Sequence, residues 1–233
     1  MTDAMLNVAQ ENRPIVAQNL GYDVASFRKG LLERIPVDES QADCVTSNCV
    51  VNLSPDKRAV FGEIWRVLKD HGRLVLADIV SEKAVPPHLR VNPQLWGECL
   101  SGALTEDELL AELERAGFYG IQILKRAFWR KVEGYSFSSV TVRAFKFETK
   151  NAFLGHRALY SGPYKSVTDE EGVMFRRNEP VAVSAGTAEK LKRQPYSENF
   201  VVFEPSVSVG REARLKSLIV SGTRSEGTGC CCS

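Results

Sequence analysis

A chain of 233 residues, 43% apolar and 25% charged, has a globular composition, with room for one large domain or two modest ones. Thirty Lys+Arg against 29 Asp+Glu leave a formal charge of +1, so no global field steers it to nucleic acid or to an anionic membrane. No apolar run of about 18 residues suggests a membrane span, the segment Met1–Leu6 lacks the marks of a secretory leader, and a cytoplasmic location is expected.

Apolar positions Met5, Val8, Ile15, Val16 and Leu20 predict a helix that stops at Gly21, with Pro14 expected to kink or divide it. Val24 to Arg28 reads as a short extended segment and residues 31–41 as a loop or a single turn. Asp43 to Val50 is β-prone. Ser54 and Pro55 predict the opening of a helix that buries Val60, Phe61, Ile64, Val67 and Leu68 and ends at Gly72. Leu74 to Val80 is an almost continuous apolar run, the mark of a strand covered on both faces. Pro86 and Pro87 break the chain, and Pro93 to Leu100 predicts a helix carrying Trp96 and Cys99. Thr105 and Glu108 form a capping box before Leu109 and Leu113. Ile121 to Ala127 and Ser138 to Phe147 read as strands. Helix and strand alternate up to residue 147, which argues for an α/β layered sheet.

After residue 150 the pattern changes to short apolar runs between turns. Ala158 to Tyr160, Val173 to Phe175, Val181 to Val183 and Phe200 to Phe203 read as strands, and Thr187 to Lys192 as a short helix. The organisation expected is therefore a first domain over 1–147, a small α+β domain over 151–205 and a disordered tail over 206–233.

Six cysteines stand out. Cys230, Cys231 and Cys232 form a run near the end, while Cys44, Cys49 and Cys99 lie inside structured sequence. In a reducing compartment they are thiols, available as soft ligands or nucleophiles; the alternative for any internal one is a small core side chain. Ligands of an open α/β sheet bind beyond the carboxyl ends of its strands. Ser47-Asn48-Cys49, Asp78 and the stretch Trp96 to Leu104 all fall there, so two thiols from separate crossovers can face one mouth. That pair suits a soft centre such as Zn(II), Cu(I) or a trivalent metalloid. Asp78 reads either as a catalytic acid or as a residue that orients a loop. His71, His88 and His156 have no metal-ligand spacing and are read as surface positions. The basic and aromatic run Lys125 to Lys131 reads as an exposed strand end and loop rather than a nucleic-acid patch.

The segment Ser47-Asn48-Cys49-Val50-Val51-Asn52-Leu53-Ser54-Pro55-Asp56-Lys57, with Trp65-Arg66-Val67-Leu68-Lys69 and Leu95-Trp96-Gly97-Glu98-Cys99-Leu100-Ser101-Gly102-Ala103-Leu104, closely resembles the arsenite methyltransferase family. Tyr160-Ser161-Gly162-Pro163, Asp169 to Gly172 and Pro195-Tyr196 resemble that family's C-terminal domain. The resemblance runs from residue 1 to about residue 204. It implies methyl transfer from S-adenosylmethionine to trivalent arsenic, in detoxification, with Cys49 and Cys99 as two of the thiolates that hold the arsenic. It puts Asn48 near the methionine end of the cofactor, Glu33 beside the adenine, and Met1 and Thr2 just after the acid that binds the ribose. It further implies trivalent arsenic or its thiol conjugates as substrate, a thiol reductant such as glutathione or thioredoxin, and neither nucleic acid nor membrane as partner.

The resemblance also carries departures. The sequence starts where the family's second strand has just ended, and it holds no GxGxG turn. The expected fold is thus a class I, Rossmann-like methyltransferase sheet lacking its first two strands, with an open edge beside the strand ending at Asn48, an uncovered apolar face and weak cofactor binding. Ser184 stands where many relatives carry a cysteine. The cysteine-ended tail reads as an arsenic-capturing end, as an end without a role, or, formally, as a prenylation box. Two alternatives accompany the leading reading: a metalloid-binding fragment without catalysis, and a methyltransferase for another small molecule.

Overall fold

The helical spacing near the start produces α1 (Asp3–Leu20), capped by the Thr2 hydroxyl, which accepts from the Met5 N–H at 3.4 Å, and closed by Gly21 at φ +81°. In this computed structural model, which describes residues 2–148 and 152–205, Pro14 sits within an undivided helix, so of the two expected effects the division does not occur. Proline forfeits the bond to the carbonyl four residues back and its ring crowds that carbonyl; on a helix with no buried residue the freed oxygen can bond water instead. Met5, Val8, Ile15 and Leu20 are all exposed. The residues from Val24 to Arg28 pair with no strand.

The chain divides into two compact units, Met1–Glu148 and Thr149–Ser233. In the first, β1 (Ala42–Asn48) runs parallel to the long β2 (Leu68–Ser81), with Asn48 opposite Ala77. Antiparallel to β2 lies β5 (Tyr135–Phe145), with Asp78 opposite Val140, and β4 (Tyr119–Val132) completes the order β1-β2-β5-β4. The two-residue β3 (Leu104–Thr105) adds to the end of β2. β4 and β5 turn through Glu133 and Gly134, at φ +45° and +88°, the sign pair of the tight hairpin turn whose twist matches the strands. β1 stands at the sheet edge with alternate residues exposed.

The helix α2 (Lys57–Val67) opens later than expected. The proline at 55 keeps Ser54 extended, at ψ 135°; Asp56 becomes the cap, accepting from the Ala59 N–H at 2.9 Å. The helix also ends earlier, at Val67, because Leu68 is already extended and paired opposite Ala42. Gly72 is therefore a strand residue. Glycine is needed there by close approach, since a Cβ would lie 2.8 Å from the Lys69 carbonyl oxygen.

The buried face is the expected one. Val60, Phe61 and Ile64 of α2 pack on Leu74, Leu76 and Val142, together with Leu109 and Leu113 of α5 (Glu106–Arg115), whose capping box forms as predicted. Each large side chain so buried stabilises the fold by about 1.5–3 kcal/mol. A second cluster on the other side of the sheet joins Ile79, Val85 and Phe137 to Leu89 of α3 (Pro87–Arg90) and Leu95 of α4 (Pro93–Gly97). The run Lys125 to Lys131 is a continuous part of β4 rather than a strand end and loop, and Arg126 and Arg130 pair with Glu106 and Glu98.

In the second unit β6 (Arg157–Tyr160) lies between β10 (Phe200–Phe203) and β9 (Pro180–Ala182). β7 (Ser166–Thr168) and β8 (Met174–Arg176) form a separate hairpin, of which β7 is too short and polar to leave a periodic signal. α6 (Ala185–Leu191) is capped by Ser184, which accepts from the Thr187 N–H at 3.0 Å. His156, expected at the surface, is mostly enclosed and faces Glu204 at 3.2 Å. No described helix is long and apolar enough to cross a membrane.

Candidate functional site: two thiol loops on one carboxylate

β1 delivers Asn48 to the carboxyl end of the sheet, and Cys49 follows in a left-handed conformation, φ +53°, its N–H still donating to Ala77 O at 2.9 Å. The chain then turns through the 3-10 segment Val51–Leu53 over the end of β2. Asp78 anchors that turn. One carboxylate oxygen accepts from Val51 N–H at 3.1 Å and Asn52 N–H at 3.4 Å; the other accepts from the Asn52 side-chain amide at 2.8 Å and Ile79 N–H at 2.8 Å. Asp78 is thus the loop-orienting residue of the two alternatives.

The second thiol arrives from α4. Cys99 N–H donates to Trp96 O at 3.0 Å and Leu100 N–H to Leu95 O at 2.9 Å, the paired bonds of a helix ending that places its left-handed residue at Cys99, φ +61°. Glycine is the usual occupant of that position, and a side chain there costs about 1–2 kcal/mol. Two cysteines in left-handed conformations at one strand end are an outlier that argues for the thiols themselves.

The loops meet. Cys99 Sγ donates to Cys49 O at 2.8 Å, which puts the Cys99 sulfur no further from the Cys49 sulfur than that contact plus the span of one residue. Asn52, buried at 4% exposure, reaches both sides, donating from Nδ2 to Asp78, to Ile79 O at 2.7 Å and to Cys99 O at 3.2 Å. Cys99 is 7% exposed, whereas Cys49 is open to solvent and donates weakly to Asn48 Oδ1 at 3.6 Å. Glu98 holds the second loop to β4 through Arg130.

Electrostatics keep both thiols protonated. Burial, then the Asp78 charge, then Cys49 push the Cys99 thiol up to about 11, and burial with Asp78 raises Cys49. Asp78 itself is raised by burial, against the N–H bonds from Ile79, Asn52 and Val51 and the charge of Lys57. At pH 7 Cys99 is therefore held as the thiol. Alkylation of Cys99 by iodoacetamide, followed site by site by peptide mass spectrometry, is therefore expected to lag that of exposed Cys44 at pH 7. Its rate should rise about tenfold per pH unit up to roughly pH 11; a rate that levels off near pH 8 contradicts the assignment.

A cavity of about 480 Å³ opens beside the loops, between Ser54–Arg58 and Ser101–Leu104, with Lys57 and Arg90 in its wall. Neither cysteine lines it. Gly102 is tightly packed there: a Cβ would fall 2.0 Å from Asn52 O and 3.3 Å from Lys57 Nζ. Among the described residues no group of three or more His, Cys, Asp or Glu side chains is arranged to hold a metal ion.

A methyltransferase-domain family model matches residues 1–117. The chain belongs to the methyltransferase-domain family. A second family model, described as a domain of unknown function, matches residues 148–224. The human protein named arsenite methyltransferase is 30% identical over 219 residues, which are 87% of this chain and 58% of that protein. The Halobacterium salinarum arsenite methyltransferase is 39% identical over 123 residues, 53% of this chain and 30% of that one. Among solved structures, an arsenic(III) S-adenosylmethionine methyltransferase from Chlamydomonas reinhardtii is 28% identical with a TM-score of 0.61, covering 89% of this chain and 76% of that one. The chain spans under two thirds of the length of these curated relatives. The mixed sheet with its flanking helices has the Rossmann-like methyltransferase fold.

Within this methyltransferase-domain unit the predicted site residues are distributed unevenly. Cys49, Cys99 and Asn48 lie together. Glu33 sits at the same sheet end, its carboxylate accepting from the Ser54 hydroxyl. Thr2 caps α1, and no hydrogen bond among the described residues joins it to Asn48, Glu33 or either cysteine. Met1 and the tail cysteines Cys230, Cys231 and Cys232 lie outside the described residues. Sequence reasoning missed Asn52 and Gly102. The signal for each was present: an amide amid apolar turn residues after Cys49, and a glycine three residues past Cys99.

Proposed function

We propose that this methyltransferase-domain chain binds trivalent arsenic through Cys49 and Cys99 and presents it for methylation by S-adenosylmethionine. The observation that carries the reading is the Cys99 Sγ contact with the Cys49 backbone oxygen, made between two separate crossovers. The names of the human, halobacterial and algal relatives support it.

Trivalent arsenic is soft and favours sulfur. Each exchange breaks an As–OH bond, forms an As–S bond and passes the thiol proton to the departing hydroxide, which leaves as water. Raised thiol pKa values therefore do not oppose the binding of neutral arsenous acid, while they suppress reaction with oxidants and alkylating agents. Cys49 and Cys99 fill two positions of a three-sulfur pyramid. The third is left for a thiol such as glutathione or thioredoxin, and Lys57 and Arg90 in the neighbouring cavity suit the carboxylates of a small thiol.

The residues present fit the ends of the methyl donor. Asn48 uses its amide oxygen for the Cys49 thiol, and its N–H groups have no acceptor among the described residues, as a methionine carboxylate requires. Glu33 retains a carboxylate oxygen beyond its Ser54 bond for an adenine edge. When bound, S-adenosylmethionine supplies an electrophilic methyl on a positively charged sulfur, the partner an arsenic lone pair needs. The chain's own contribution is placement: the two thiols fix the arsenic, and the Asp78–Asn52 pair fixes the thiols.

The test is arsenite titration by calorimetry in a background with Cys230→Ser, Cys231→Ser and Cys232→Ser. Cys49→Ser and Cys99→Ser are each expected to weaken binding by about 100-fold, and Cys44→Ser to leave it unchanged. Equal affinity in all three variants overturns the reading.

A further inference from the structure

The second unit holds a cavity of about 260 Å³, somewhat below the size of drug-binding pockets and suited to a small ligand. Five aromatic side chains line it: Tyr160, Tyr164, Phe175, Tyr196 and Phe200. Phe200 is the hub, with ring centroids 5.2 Å from Tyr160, 5.1 Å from Phe175 and 6.4 Å from Tyr196. Tyr164 lines the cavity and is 68% exposed, its N–H donating to the Tyr160 hydroxyl at 3.1 Å.

Negative charge exceeds positive around this aromatic wall. The Lys190 ammonium lies 2.9 Å from Glu170 and 3.4 Å from Glu171, so it is neutralised in place. Asp169 accepts from the N–H groups of Val173 at 2.7 Å and Glu171 at 3.0 Å, and among the described residues no cationic side chain comes within ion-pair distance of it. Of the charged side chains that line the cavity, two carboxylates, Asp169 and Glu170, thus face one ammonium, Lys190. A neutral apolar ligand would desolvate that excess without answering it. A bare metal ion needs converging oxygen ligands, and the described residues offer no such group. A cation wrapped in methyl groups meets both demands, since aromatic faces attract charge through their quadrupoles while the methyls fill the apolar volume.

We propose that this pocket binds a small methylated onium cation, a quaternary ammonium or a tertiary sulfonium, with Tyr164 and Asp169 recognising its charge. The inference does not rest on the reading of Cys49 and Cys99.

The test titrates the full chain with choline, with trimethylsulfonium and with 3,3-dimethylbutan-1-ol, the uncharged carbon analogue of choline, following aromatic ring resonances by NMR. Saturable shifts are expected with a cation, and binding of the alcohol should be at least about tenfold weaker than that of choline. A response to one cation alone assigns the ammonium or the sulfonium class. Tyr164→Leu, at an exposed ring, and Asp169→Asn, which keeps the oxygen that accepts both N–H groups, should each weaken cation binding about three- to tenfold with the melting temperature unchanged. The proposal is overturned if the alcohol binds as well as choline, if neither cation saturates, or if both variants bind like the parent chain.

Discussion

Asn52→Ala is expected to destabilise the first unit by about 2–4 kcal/mol and to weaken arsenite binding at least tenfold. Among the described residues its amide is the one side-chain donor shared by Asp78 Oδ1, Ile79 O and Cys99 O. Alanine leaves these buried acceptors with fewer donors and lets the Cys99 loop move independently of the Cys49 turn. Urea denaturation measures the first effect and calorimetry the second. Asn52→Asp sharpens the test, because it sets a second carboxylate within hydrogen-bond distance of Asp78, and two such groups cannot both ionise there. The folded state then holds a proton that the unfolded state has lost above about pH 4, so stability falls as pH rises from there through the raised folded value. The Asn52→Asp chain should be closer to the parent at pH 4.5 than at pH 7.5. The opposite slope would refute the placement of Asn52 against Asp78.

Gly102→Ala carries the next largest effect. A Cβ 2.0 Å from Asn52 O cannot be met by a flexible side-chain end, because the clashing atom is backbone in the turn that carries Cys49. Either the Asn52 turn or the Ser101–Leu104 segment must shift. The expected cost is about 1–3 kcal/mol of stability, with arsenite affinity reduced as the two sulfurs move apart. Gly97→Ala is the control, since a Cβ there meets nothing within 4 Å. Equal behaviour of the two variants, in stability and in binding, contradicts the close approach.

Much of the fold was legible wherever one local rule acted without competition. The capping box at Thr105 and the apolar face of α2 formed as read, because their signals lie within a few residues. Readings failed where tertiary pairing outweighed a local cue. Gly72 looked like a helix end, yet Leu68 had already joined Ala42 in the sheet. Ser54 looked like a cap, yet its hydroxyl donates to Glu33 and Asp56 caps instead. β4 extends beyond its sequence signal because its outer half, on the far edge of the sheet, is exposed and charged and carries no alternation.

The candidate site was legible to a different depth. The strand-end rule allowed Cys49 and Cys99 to face one mouth, and the resemblance is what gave them a shared ligand. That Asp78 and Asn52 tie the loops could not be read, because a hydrogen bond across 26 residues leaves no periodic trace. The left-handed turn at Cys99 was equally hidden: helix endings of that shape usually announce themselves with glycine, and here a cysteine stands in its place.

The most direct measurement is arsenic X-ray absorption on the arsenite-loaded chain, made with Cys44→Ser and the three tail serine substitutions so that no other sulfur competes, and without added thiol. The fitted sulfur coordination should be two, falling to one in Cys49→Ser and to one in Cys99→Ser. A sulfur number that stays the same when either cysteine is replaced would mean that the two loops do not share one arsenic atom.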